Sequence, residues 1–175
     1  MVQPSDCAGR PSRCNPQSPV SRLITRISMD RLERSEPMIT NEADHETSPK
    51  PRVGIFYCGG AMSSAGELTA IASFEVLKRL GPQQVGMGCV SALAAGIPKH
   101  FKTMQSLEKV LVIDGCPNSC VRKIIEKTGA KMDAYLNLGK DLGIKKIGPF
   151  KPMEFTAEDS EKAVQAILDK VESLS

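Results

Sequence analysis

The chain has 175 residues, 41% hydrophobic and 25% charged, with a net charge of +3, which suits one ordinary domain able to bury its own core. The charge is too mild and too dispersed for a nucleic-acid surface, and two Tyr, five Phe and no Trp leave little to stack on bases. No apolar run reaches the ~18 residues of a membrane span, and the N-terminus lacks a secretory h-region, so the expected compartment is the cytoplasm.

In chain order, residues 1–51 come first and differ from the rest. They hold seven of the twelve prolines, seven serines, one glycine, and seven basic against seven acidic residues. Only "RLITRISMDRL" (22–32) has any apolar periodicity, so the segment reads as a disordered or weakly helical extension. From residue 52 the pattern changes. "RVGIFY" (52–57) is a short apolar run ended by "CGG" and predicts a buried strand.

"SSAGELTAIASFEVLKRLG" follows with Leu68, Ile71, Ala72, Phe74, Val76, Leu77 and Leu80 at helical spacing. Ser64 with Glu67 suggests a capping box, and Gly81 a C′ stop. "QVGMG" predicts a second strand and "CVSALAAGIP" a small-residue helix stopped at Gly96 and Pro98. "KVLVID" is the clearest strand, and "PNSCVRKIIEKTG" a helix with Pro117 at its first position and Gly129 past its end. "KMDAYLNLG" (131–139) predicts a fourth strand, and "GIKKIGPF" a last short strand or loop. "TAEDSEKAVQAILDKVESL" is a helix capped by Thr156. Strands and helices alternate, so the expected fold is a single α/β domain over 52–175. It is a three-layer, Rossmann-like parallel sheet with helices on both faces.

Six cysteines in a chain of this length and compartment suggest metal ligands or reactive thiols rather than a disulfide framework. Cys7 and Cys14 fall in the extension. Cys58 follows the first strand, Cys89 the second and Cys116 the third, with Cys120 four residues on at the start of a helix. A parallel sheet brings every strand-to-helix junction to its carboxyl edge, where α/β proteins place ligands. Cysteines used only as small buried hydrophobes would not need to share that edge. Helix starts also favour thiolates, and four thiolates suit tetrahedral zinc or an iron–sulfur cluster. A lone C-x-x-x-C is a weak motif, so placement carries the inference.

In their order, "YCGG" (Cys58), "GMGCVSALAAGIP" (Cys89) and "VIDGCPNSC" (Cys116, Cys120) resemble the DGC-domain family, named for the Asp-Gly-Cys that stands here as Asp114, Gly115 and Cys116. The resemblance covers roughly residues 52–150. It implies a zinc site made by Cys58, Cys89, Cys116 and Cys120, and no particular activity. Val121 departs from the pattern, which would have a smaller residue there.

Other features are weighed beside that site. Asp114 could support the Cys116 region from behind or merely bond its own backbone in a turn. "CGGAMSSAGE" has neither the Lys-Ser/Thr nor the glycine spacing of a phosphate loop, though a helix start there could hold an anion or small molecule at the rim. His100 reads as a surface histidine before a ligand, and Arg122 with Lys123 as a solvated helix face before an anion clamp. Three functions from other classes stay open: thiol–disulfide or persulfide chemistry at Cys116 and Cys120, iron–sulfur electron transfer, and a small-molecule or phosphate binding module whose cysteines only tune the pocket.

Overall fold

The layering follows from alternation along two strands. In Val53–Tyr57 (β1) and Lys109–Asp114 (β3), successive side chains point to opposite faces. Val53, Ile55, Leu111 and Ile113 enter one core, while Phe56, Val110 and Val112 enter another. Both faces are therefore apolar and must be covered by helices, as a parallel sheet requires. The computed structural model describes residues 50–174, within a compact unit at 48–175. The extension predicted for residues 1–51, with Cys7 and Cys14, lies outside the described residues except for its last two positions.

Val85–Met87 (β2) and Ala134–Asn137 (β4) complete a sheet of order β2-β1-β3-β4, with every pairing parallel. Ser64–Leu80 (α1) and Ala157–Leu174 (α6) cover the first core. Leu68, Ala72, Val76, Ala163, Val164, Ile167 and Val171 are buried there. Val90–Ala94 (α2), Pro98–Gln105 (α3) and Cys120–Thr128 (α4) cover the second through Leu93, Met104, Val121 and Ile125. Fully burying each aliphatic side chain of this size stabilises by about 1.5–3 kcal/mol. The fold is the expected three-layer α/β domain. From β1 the chain winds out to β2, then crosses back to β3, so the topology reverses between the adjacent strands β1 and β3. Ligands of open α/β sheets bind at such a reversal.

Several elements differ from expectation in detail. Pro98, expected to stop a helix, instead occupies the first turn of α3, because its fixed φ suits the start of a helix as well as the end of one. Residues 116–119 form a turn in which Ser119 N–H donates to the Cys116 carbonyl at 3.1 Å. Pro117 lies inside that turn, and α4 begins only at Cys120. The N-cap of α1 is Ser63, without a side-chain bond. Ser64 Oγ instead accepts from Ile147 N–H at 2.9 Å, so Glu67 falls one place too late for a capping box. β4 is shorter than expected and runs straight into Leu138–Asp141 (α5), capped by Asn137, whose side chain accepts from Lys140 N–H at 3.0 Å.

Residues 143–155 form no strand; the segment is pinned to the start of α1, with Phe150 N–H donating to the Met62 carbonyl at 2.8 Å. Thr156 caps α6 as expected, accepting from Asp159 N–H at 3.0 Å. Among the described residues no helix is long and apolar enough to cross a membrane.

Candidate metal centre

The ladders of the sheet carry the cysteines to its carboxyl edge. Cys58 N–H donates to the Ile113 carbonyl at 3.0 Å, extending the β1–β3 ladder by one step. Gly88 N–H donates to the Ile55 carbonyl at 2.8 Å, which does the same between β2 and β1. Cys89 follows as the N-cap of α2. Beyond β3, Gly115 leads into Cys116, and the turn ends at Cys120, the first residue of α4. Four free thiols thus hang from the ends of three neighbouring strands, which lie about 4.8 Å apart in such sheets.

Their environments differ. Cys116 is buried, Cys58 half-buried against the second core, and Cys89 and Cys120 are exposed. Burial pushes the Cys58 thiol up. The Gly60 amide works against this, and the negative charges of Asp114, Cys120 and Cys116 add to the rise. Asp114, Cys58, Cys116 and Cys120 therefore share one electrostatic neighbourhood. Cys89 makes itself felt elsewhere: the Tyr57 hydroxyl is raised first by burial and then by the charge of Cys89. Among the described residues no three or more His, Cys, Asp or Glu side chains stand close enough together to hold a metal ion. His100, half-buried on α3, belongs to no such group.

The turns behind the thiols are built by residues of other types. Asp114 is 1% exposed. Its carboxylate accepts from Val121 N–H at 3.0 Å and Arg122 N–H at 3.1 Å, capping α4 from the end of β3. Ser119, in the usual cap position, makes no cap bond. Gly115 passes so close to the first turn of α1 that a Cβ would run into the Ala65 carbonyl; only glycine fits.

Thr69 of α1 accepts from Gly59 N–H at 2.9 Å and donates to the Gly66 carbonyl at 2.7 Å, which holds the loop after Cys58. Asn137 Nδ2 donates to the Cys116 carbonyl at 2.9 Å. Thr69, Ser119, Tyr135 and Asn137 escape the sequence reading. Tyr135 and Asn137 signal themselves only as polar character near the end of an apolar strand, "AYLN". The Arg122 side chain donates to Glu126 at 2.7 Å and lies 5.1 Å over the Tyr135 ring.

The donor set suits a soft or borderline ion. All four thiols are free, none is locked in a disulfide, and the two exposed ones sit at helix starts, Cys89 as the N-cap of α2 and Cys120 as the first residue of α4. The residues fit zinc by their chemistry, while among the described residues no three of them stand close enough together to hold an ion.

The family model for the DGC domain matches residues 54–167, reaching from β1 into α6 and beyond the span of 52–150 that the motifs alone suggest. No curated protein and no solved structure matches the chain. With the matched region spanning most of the chain and containing Asp114, Gly115, Cys116 and all three other thiols of the rim, the protein belongs to the DGC-domain family.

Proposed function

We propose that Cys58, Cys89, Cys116 and Cys120 together bind one zinc ion, and that the protein handles this metal rather than using it for hydrolysis. One observation carries the proposal: four free thiols stand at the ends of three adjacent strands, around the reversal of the sheet. A domain with two apolar cores has no need of zinc to fold, so a rim site suits a working role. Four thiolates would close the shell, whereas catalytic zinc keeps a position for water. Holding or delivering the ion is therefore favoured. Zinc bound there would act as a Lewis acid only if one cysteine left, with Cys58 or Cys120 the candidates. Free thiols of this kind suit a reducing compartment such as the cytoplasm.

A second function rests on the contrast between exposed Cys120 and buried Cys116. As a thiolate at the start of α4, Cys120 would attack a disulfide of a substrate and release one thiolate. Cys116 would then displace the other, leaving a Cys116–Cys120 disulfide and the substrate reduced by two electrons. Anaerobic purification of the untagged protein, with zinc, iron and free thiols assayed together, separates these functions. One zinc per chain and four shielded thiols support metal handling. A metal-free protein with a Cys116–Cys120 disulfide overturns it in favour of thiol chemistry, and broad visible absorbance with bound iron overturns it in favour of an iron–sulfur centre.

A further inference from the structure

β4 is the one strand of the sheet not followed by a cysteine, yet it ends in two polar side chains beside the cysteine turn. Tyr135 and Asn137 are two residues apart, so the pleat sends both to one face. They pair in register with Val112 and Asp114, whose side chains share that face.

Asn137 is 1% exposed. Its Nδ2 donates to the Cys116 carbonyl at 2.9 Å and to the Tyr135 hydroxyl at 3.1 Å, and stands 3.5 Å from Ser119 Oγ. The Tyr135 hydroxyl has its single proton to give either to Ser119 Oγ at 3.0 Å or to Asp114 Oδ2 at 3.3 Å. Asp114 in turn accepts from the amides of Val121 and Arg122. One network anchored on β4 thus grips the turn at its first carbonyl, at its bend and just beyond Cys120.

Two details separate this grip from ordinary hydrogen-bond satisfaction. The Cys116 carbonyl already accepts from Ser119 N–H at 3.1 Å, so the bond from Asn137 orients that oxygen rather than rescuing an orphan. Ser119 adopts φ 50° and ψ 51°, in the left-handed region. A residue with a side chain stays there only when its surroundings over-determine it.

We infer that Tyr135 and Asn137 are positioning residues for the thiol site. They fix the turn so that the buried sulfur of Cys116 and the exposed sulfur of Cys120 are offered to the same ion. The inference rests on the zinc function proposed above. Residues that orient metal ligands from behind typically change affinity 10–100-fold when replaced.

The test uses the full-length protein stripped of metal, with its thiols reduced and counted, as wild type, Tyr135→Phe and Asn137→Ala. Cobalt is titrated while its thiolate charge-transfer and visible d–d bands are recorded, and zinc affinity is measured by competition with a chromophoric chelator. Tyr135→Phe is expected to weaken zinc binding about tenfold and Asn137→Ala at least as much. Both should shift the cobalt d–d bands, while one metal still binds per chain. The thermal midpoint of metal-free Tyr135→Phe should fall only slightly, by the loss of the hydroxyl's side-chain hydrogen bonds, because the substitution leaves every backbone group of the turn paired.

If wild type binds one metal but Tyr135→Phe keeps its affinity within about twofold and its cobalt spectrum, the positioning role is wrong and the zinc site stands. If Asn137→Ala does not fold, Tyr135→Phe alone decides. Failure of the wild type to bind either metal overturns the zinc function and this inference together.

Discussion

Asp114 accepts two amides of α4 while almost wholly shielded from water, and its replacement should be felt in stability before anything else. Asp114→Ala leaves two N–H groups at the start of α4 without their acceptor, at about 1–3 kcal/mol for the buried Val121 amide and less for the partly exposed Arg122 amide. The loss should appear in the midpoint of urea unfolding, with Asp114→Asn, which retains one oxygen, losing less. Gly115→Ala should be more damaging still, because its Cβ meets backbone of α1 rather than a side chain that can move.

Cys58 gives a pH signature in the metal-free protein. Burial raises its thiol above the unfolded value, so folding favours the protonated form. That contribution is complete below the pKa of the unfolded thiol and is lost as pH rises through the folded value. Unfolding midpoints measured from neutral to alkaline pH should therefore fall, and fall less in Cys58→Ala. At this scale the sequence shows where Asp114, Gly115 and Cys116 stand. It leaves Asp114 balanced between a turn residue and a supporting one, because its partners lie seven and eight residues on, beyond any local rule.

Among the elements, α1 and α6 are the most legible, since both are long and keep an apolar face at helical spacing throughout. They pack together through the first core, where Ile167 is fully buried. Ile167→Ala should cost about 2–5 kcal/mol in chemical denaturation. At the surface the same pair of helices is tied by Arg79, whose guanidinium donates to both oxygens of Glu161 at 3.1 Å. Arg79 holds the Glu161 carboxyl below its ordinary range. Its small contribution is present above the unfolded carboxylate pKa and lost as pH falls through the depressed value. Glu161→Gln should therefore lower the thermal midpoint slightly near neutrality, with the difference vanishing in acid and in high salt.

α3 and the start of α4 were not legible in the same way. Met104 is the one residue of α3 that is buried, so its apolar pattern is too sparse to declare a helix. Pro117 suits the second place of a turn as well as the first turn of a helix. Choosing between them takes the Asp114 carboxylate, which caps α4 only from Cys120 onward.

For the molecule as a whole, the zinc function predicts that the three strand ends act as one. Cys58→Ser and Cys89→Ser should lose zinc as severely as Cys116→Ser, measured as metal per chain after gel filtration; retention in either variant would break the convergence. The alternation of strands and helices and the position of each thiol after a strand are local patterns, set by side-chain periodicity and turn residues, and they were readable in the chain itself. So was the DGC motif. The order β2-β1-β3-β4 was not, since nothing local states on which side of β1 a later strand will lie. That order makes the strands that lead into Cys58, Cys89 and Cys116 neighbours. It also sets β4 on the far side of β3, where Tyr135 and Asn137 meet a turn some twenty residues earlier in the chain. Hydrogen bonds across such separations arise only once both apolar faces of the sheet have been covered and its strands brought into register. Tertiary packing therefore decided what stands behind the thiols.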